Sequence, residues 1–331
     1  MTDEGSYRVV WDDFQDGFRT TGPDARWRFY AAGPLAADDG VATTSPAGLR
    51  VAAAGTNVHT GLPAFTKTHG HDELARLGVP AVFDHVKWLV HANHVASTGL
   101  PGFDALPGHV LSFETWVSAR SHGTSAHPFG AAVADPDDDL RLGAVALPLI
   151  DVETYTVVTF FLTNKSVYAT YERLAAGRPT LGDYASFLYA TPVATRATAD
   201  EHHLKISYDR DAGTVRWFVD GSQVHELDRL GHLLPSREHM LLDHGGTPTA
   251  VAPRQLNGGM GMFTVLDGAY PGSGGAGLVR LDPDPGTYVD PAAGPPSPQR
   301  FLDDESRPAS RLFGQGAELA LARYVVSSAP R

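Results

Sequence analysis

Three stretches of this 331-residue chain put proton-moving groups on one face of an extended segment. In Asp84–His94, the odd positions are His85, Lys87, Leu89, His91 and Asn93, and the even ones Val86, Trp88, Val90, Ala92 and His94. Side chains alternate across a strand, so two imidazoles and an ammonium share a surface. In Val110–Arg120, the face Ser112, Glu114, Trp116, Ser118 and Arg120 opposes a core face of Leu111, Phe113, Thr115, Val117 and Ala119. A carboxylate, an indole and a guanidinium in one row suit a ligand groove, where the ring stacks and the charges orient. In Ser166–Arg173, Tyr168, Thr170 and Glu172 oppose Val167, Ala169, Tyr171 and Arg173. A glutamate beside a tyrosine supplies a base and an acid once burial moves their pKa values toward the working pH. Each face also reads as a solvated sheet surface with an ordinary ion pair, Glu172 with an arginine for example.

The expected catalytic groups are Glu114, His85, His91, Glu172 and Tyr168, with Trp116, Lys87, Arg120 and Asn93 holding the substrate. Glu114 and either His85 or His91 are expected to face one pocket and share the proton work. Lys87 and Arg120 would stabilise negative charge developing on the substrate.

Metal chemistry has weaker support. The chain has 15 histidines, yet His69-Gly70-His71 is a bare H-x-H and His91–His94 a bare H-x-x-H. Neither sits in the H-E-x-x-H frame of a zinc protease. Asp135-Pro136-Asp137-Asp138-Asp139 resembles a calcium loop but has Leu140 where an EF-hand needs glycine, and lacks the closing glutamate. No cofactor and no transition metal are therefore expected, with a structural calcium as the one allowance. The absence of cysteine removes thiol nucleophiles, disulfides and thiolate metal sites. There is no phosphate-binding P-loop and no G-x-S-x-G elbow, and Gly272–Gly277 (GSGGAG) opens no helix.

Charge and composition narrow the partners. With 26 Lys+Arg against 38 Asp+Glu the net charge is −12, which argues against nonspecific nucleic-acid binding. The acidic N-terminus lacks an apolar signal core, and no apolar run approaches the roughly 20 residues of a spanning helix. A cytoplasmic protein that meets a small molecule, without nucleic acid or membrane, is the expectation, with a homodimer allowed.

Period-2 alternation dominates the elements that must position these groups. The clearest unit is a meander over Glu201–Leu227, turned by Arg210–Gly213 and by Asp220-Gly221. Further strands are expected at Tyr7–Phe14, Leu49–Ala53, Asp84–His94, Val110–Arg120, Arg141–Ile150, Thr154–Thr163, Ser166–Arg173, Tyr184–Ala190, Gly261–Leu266 and Glu318–Ser327. The apolar Thr154–Leu162 run reads as buried on both faces. Many short strands between turn signals mean an all-β sandwich or barrel. Asp267–Gln299, rich in glycine, proline and aspartate, reads as a surface excursion or a flap, and the strand after it favours one domain over residues 1–331.

Three segments carry a resemblance. WDDFQDGF with Trp27 behind it, HHLKISYDRDAGTVRWFVDGSQVHEL and ALARYVVSS resemble concanavalin-A-like lectin and glucanase sandwiches. The middle, from HPFGAAVADPDDDLRL to NKSVYATYERL, resembles a bacterial family without an assigned function. The first resemblance implies a jelly roll of two curved antiparallel sheets with ligands on the concave face. It also implies a glucanase triplet, E-x-D-x-x-E or E-x-D-x-E, which this chain lacks. Its nearest acidic pair is Asp151-Val152-Glu153. The expected function is cofactor-independent acid–base catalysis, as in cyclisation, dehydration or isomerisation, on a small organic or secondary-metabolite substrate bound on the concave sheet. A glycan-binding lectin, or a glycosidase with an atypical carboxylate pair, is the alternative.

Overall fold

The computed structural model describes residues 5–270 and 275–331. Part of the Gly272–Gly277 motif lies outside the described residues. The architecture is all-β: two large antiparallel sheets packed face to face as a curved jelly-roll sandwich. The eight-stranded sheet runs Ser222–Leu227, Thr214–Val219, His202–Asp209, His109–His122, Gly316–Pro330, Gly48–Ala53 and Gly40–Ser45, with Tyr7–Asp12 also paired to Gly316–Pro330. The nine-stranded sheet runs Met240–Asp243, Phe187–Thr195, Ser166–Arg173, Thr156–Leu162, Ala144–Asp151, Gln255–Phe263, Val86–Ala92 and Trp27–Phe29, with Phe103–Asp104 paired to Gln255–Phe263.

Alternation decides what faces what. Phe113, Val117, Ile206 and Trp217 of the first sheet pack against Leu147, Phe160, Tyr171 and Met260 of the second in one buried cluster. Burying such side chains is the main favourable term, about 1.5–3 kcal/mol for each large aliphatic or aromatic group. The Trp217 indole also donates to the Thr159 carbonyl at 2.9 Å, tying the two layers together. The meander forms as its pattern implies. Asp220 and Gly221 both take positive φ (52° and 83°), the conformation a two-residue hairpin turn requires.

The nine-stranded sheet is covered on its outer side as well. Ala146, Phe161, Tyr168, Leu188 and Leu241 pack there with Val265 and Tyr288, which explains why every residue of Thr156–Leu162 is buried. The cover comes partly from the stretch read as an excursion: Leu278, Val279 and Leu281 pack with Leu142 and Leu266 in a cluster of their own. Two expected strands change character. Asp84 and His85 belong to a 3-10 turn, Ala81–His85, and the strand begins at Val86. The turn places the Asp84 carboxylate, 1 % exposed, where the His69 amide, the Thr68 hydroxyl and the Lys87 ammonium all donate to it. Arg141 is likewise not strand. Its guanidinium is bound by both oxygens of Asp139, and the strand starts at Ala144.

Candidate functional site

A cavity lies on the outer side of the nine-stranded sheet, between the sheet and its cover. Its floor comes from adjacent strands: Leu89 and His91, Ala146 and Pro148, Val157 and Phe161, then Glu172. Two features of the sequence make room for it. Pro148 stands in an interior strand, where it removes a ladder donor, and pairing to Gln255–Phe263 lapses between Ala146↔Gly261 and Leu149↔Gly258. On the neighbouring strand Gly261 lets Leu89 and Phe263 lie against the backbone; a Cβ there would meet the Phe263 ring at 2.5 Å. This apolar half encloses about 770 Å³, counting solvent at its mouth. It opens past Val82, His85, Glu172 and Leu174 into a polar half that His244, Asp267 and Tyr288 also line.

The charged centre sits at that junction. His85 Nε2 is 2.6 Å from Asp267 Oδ1, and both residues are almost fully buried. Burial alone lowers the imidazole pKa, but the Asp267 carboxylate and its hydrogen bond outweigh it, so the His85 pKa is raised. Burial likewise raises the Asp267 carboxyl, and the His85 charge, the His85 hydrogen bond and the Tyr288 hydroxyl together hold it low. The two shifts agree on an imidazolium–carboxylate pair. Tyr288 donates to Asp267 Oδ2 at 2.8 Å, so both carboxylate oxygens are taken.

Glu172 differs. It has no hydrogen bond or ion pair to any described residue. Its side chain is half-buried and lines both halves of the cavity. Burial pushes its pKa up, the His85 charge pulls it down, the Asp267 charge raises it, and the result is about 7 against an ordinary 4.5. His91 forms part of the same wall. Burial and the Arg28 charge push its pKa down to about 4, so it is a neutral imidazole. His244 Nδ1 donates to the Thr287 carbonyl at 2.8 Å, and burial lowers its pKa despite that bond.

The structure thus brings His85, His91 and Glu172 to one cavity and leaves the other expected residues elsewhere. Glu114 is the main correction. Its strand belongs to the eight-stranded sheet, and its carboxylate points to the outer side of that sheet, across the sandwich core from His85 and His91. There it meets His203 Nε2 at 3.1 Å and Arg8 at 3.7 Å. Trp116 lies on the same outer face, stacked on His203 with ring centroids 4.3 Å apart and with the Arg323 guanidinium 4.0 Å from its centroid. These contacts occupy ring surface that a ligand would need. Arg120 pairs in register with Glu318 at the end of that strand. Alternation separated the faces correctly but could not say which sheet a strand joins.

Lys87 is buried against Asp84 at 3.2 Å, so its ammonium is spent inside the protein. Asn93 is exposed and donates to the Ala25 carbonyl. Tyr168 lies on the same outer side as Glu172 but bonds to Asp138 and, at 2.7 Å, to the Tyr270 hydroxyl, and it does not line the cavity. Glu172 has no arginine partner, which removes the ion-pair reading of that strand.

Among the described residues no group of three or more His, Asp or Glu side chains is arranged to hold a metal ion. His91 and His94 diverge, the latter bonded to the Gly102 carbonyl and stacked on Phe103. The acidic run is occupied from within: Asp135 by Lys165, Asp138 by Thr163 and Ser166, Asp139 by Arg141. No helix among the described residues is long and apolar enough to cross a membrane.

Asp267, Tyr288 and His244 escaped the sequence reading. All three sit in or beside loops without alternation, and Asp267 is 182 residues from its partner His85. The one signal in the chain was Pro148 inside an otherwise apolar strand, since proline in a central strand marks a place where the sheet is interrupted.

Comparison with known proteins places the chain by sequence. Residues 11–330 match the model of a family of unknown function, DUF6081. The chain belongs to this family. An uncharacterised protein, L829, of Acanthamoeba polyphaga mimivirus is 28% identical, over 73% of this chain and 75% of its own. Similar solved structures include an endo-1,3-beta-glucanase from Streptomyces sioyaensis, 12% identical with a TM-score of 0.47 over 100% of this chain and 99% of that one. A Bacillus licheniformis beta-glucanase is 8% identical, with a TM-score of 0.40 over 99% of each chain.

Proposed function

We propose that this chain is a cofactor-independent acid–base enzyme acting on a small organic molecule with an apolar body. The observation that carries the reading is Glu172: a carboxyl without a partner, enclosed beside a buried imidazolium, with its pKa near 7. A group poised at the working pH is both available as base and competent as acid. In the proposed step the Glu172 carboxylate takes a proton from a carbon next to a substrate carbonyl. The electron pair moves onto the carbonyl oxygen, and the His85 imidazolium stabilises the developing negative charge. Glu172 then returns the proton at another position or to a leaving hydroxyl, which gives isomerisation or dehydration. Asp267 holds the imidazolium in place, and neutral His91 forms wall.

The alternatives have less support. Retaining glycoside hydrolysis needs a second free carboxylate about 5 Å from the first. Asp267, the candidate, has both oxygens engaged. A lectin would use an open aromatic surface, whereas Trp116 is covered by His203 and Arg323.

Proton exchange tests the reading even while the substrate is unidentified. The protein is incubated in deuterated water with small carbonyl compounds extracted from cells that make it, and carbon-bound deuterium is followed by NMR. The wild type should label one compound or a narrow set, and Glu172→Gln should not. Equal labelling by the two proteins, above a protein-free control, would remove Glu172 from the chemistry.

A further inference from the structure

Beyond the charged junction, the polar half of the cavity ends at His244, which the proposed proton transfer does not use. A backbone carbonyl can only accept, so the 2.8 Å contact to Thr287 fixes the proton on Nδ1. Nε2 then carries a lone pair, and it has no partner among the described residues. The ring leans on Tyr288 with centroids 5.2 Å apart, which fixes its tilt. The arginines of this half are saturated. The Arg178 guanidinium donates to the carbonyls of Tyr184, His244 and Gly245. Arg173 donates to Thr249 and lies 3.9 Å from the Tyr184 ring centroid. No free cation therefore awaits a phosphate or carboxylate among the described residues at this end. Besides the unpaired Glu172 carboxyl at the junction and the Ser186 hydroxyl, what is presented there is an oriented imidazole acceptor, with a wall of aliphatic and aromatic side chains beyond it.

From that arrangement we propose that His244 Nε2 is the specificity-determining acceptor for a hydroxyl group on a ligand that is apolar apart from this hydroxyl and the carbonyl at Glu172 and His85, and whose hydrocarbon body fills the half of the cavity floored by Leu89, Pro148 and Phe161. The ligand is then an uncharged hydroxy-carbonyl compound, held by its hydroxyl at His244, with its carbonyl lying at Glu172 and His85. This substrate class rests on the acid–base reading for its catalytic meaning. The binding claim stands on the tautomer, the saturated arginines and the apolar floor alone. A site built to receive a hydroxyl discriminates strongly against the analogue without it, because its own polar group is left unpaired.

The test uses two probes of nearly equal shape, 2-naphthol and 2-methoxynaphthalene, with affinities read by calorimetry and by displacement of fluorescence. Wild type should bind 2-naphthol at least about tenfold more tightly, the scale of one hydrogen bond at 1.4 kcal/mol per tenfold. His244→Phe should bring the two affinities together by weakening naphthol alone. His244→Asn, which keeps a polar group but shortens its reach, guards against a folding defect in the first variant and should give the same convergence. Glu114→Gln, on the far sheet, should leave the preference intact. Equal affinities in wild type, a preference surviving both His244 variants, or failure of both probes to bind would each overturn the proposal. Because the assay reads binding and not turnover, such a result leaves the role of Glu172 to its own exchange experiment.

Discussion

Each sheet of this sandwich presents a glutamate near a histidine on its outer side, and the two pairs have opposite fates. Glu114 meets His203 at 3.1 Å and Arg8 at 3.7 Å on a face that reaches solvent, with Arg8 more than half exposed. Glu172 lies under a cover, near His85 but bonded to nothing, because Asp267 has taken that histidine. Residue types are the same in both regions. What differs is enclosure and the saturation of partners. A carboxylate paired on an outer sheet face is an ordinary sheet ion pair, whereas an unpaired one in a covered cavity becomes an acid–base group near neutrality.

Paired substitutions break or sharpen this contrast. The largest expected effect is on turnover. Glu172→Gln should lower the rate of the proton-transfer reaction by about 10²–10⁴-fold, the usual cost of losing a general acid or base. Glu114→Gln should leave it within twofold or so, measured in the same exchange assay. The next effect is on stability. Asp267→Asn leaves the buried His85 without its counter-charge and should cost about 3–5 kcal/mol in chemical denaturation. The matching change at the other pair, His203→Asn, should cost no more than about 1 kcal/mol, because partly exposed pairs are worth little.

A smaller effect is a difference in pH dependence. The Glu172 pKa in the folded protein, about 7, lies above its ordinary 4.5, so the native state holds this proton more tightly than the unfolded chain. Its contribution to stability is thus fully present below about pH 4.5 and is lost as pH rises through about 7. Glu172→Gln, which cannot ionise, should match the wild type near pH 4 and exceed it at pH 8 by roughly 3 kcal/mol, at about 1.4 kcal/mol per tenfold change in proton affinity. A loss of stability in Glu172→Gln at pH 8 would mean that the carboxylate has a stabilising partner. The smallest effect is expected at Trp116→Ala, a loss of about 1 kcal/mol from stacking and cation–π contact, with no change in ligand binding.

The same contrast shows how far the residues could be read in advance. Alternation in Ser166–Arg173 put Val167, Ala169 and Tyr171 on one face and Glu172 on the other, and the structure keeps that separation, with the first three in the core. Alternation in Val110–Arg120 did the same for Phe113 and Val117. Period-2 patterning is a local property, and it was enough for the faces. It could not show that Glu114 and His91 belong to different sheets, because strand pairing depends on contacts distant in sequence. Nor could it reveal Asp267, held to His85 across 182 residues by a loop with no periodic signal. Glycine and proline in Asp267–Gln299 left open a surface excursion covering one end of the sandwich or a mobile flap. The apolar residues scattered among them hold the described part of the segment against the sandwich: Leu278, Val279 and Leu281 pack with Leu142 and Leu266, and Tyr288 lines the polar half of the cavity.

The most direct measurement is the titration of Glu172 itself by infrared difference spectroscopy, wild type minus Glu172→Gln, from pH 4 to pH 9. The carbonyl stretch of a protonated carboxylic acid should persist in the difference spectrum well above pH 5 and fade with a midpoint near 7. A midpoint near the ordinary 4.5 would contradict the account, since it would leave Glu172 an ordinary carboxylate at neutral pH.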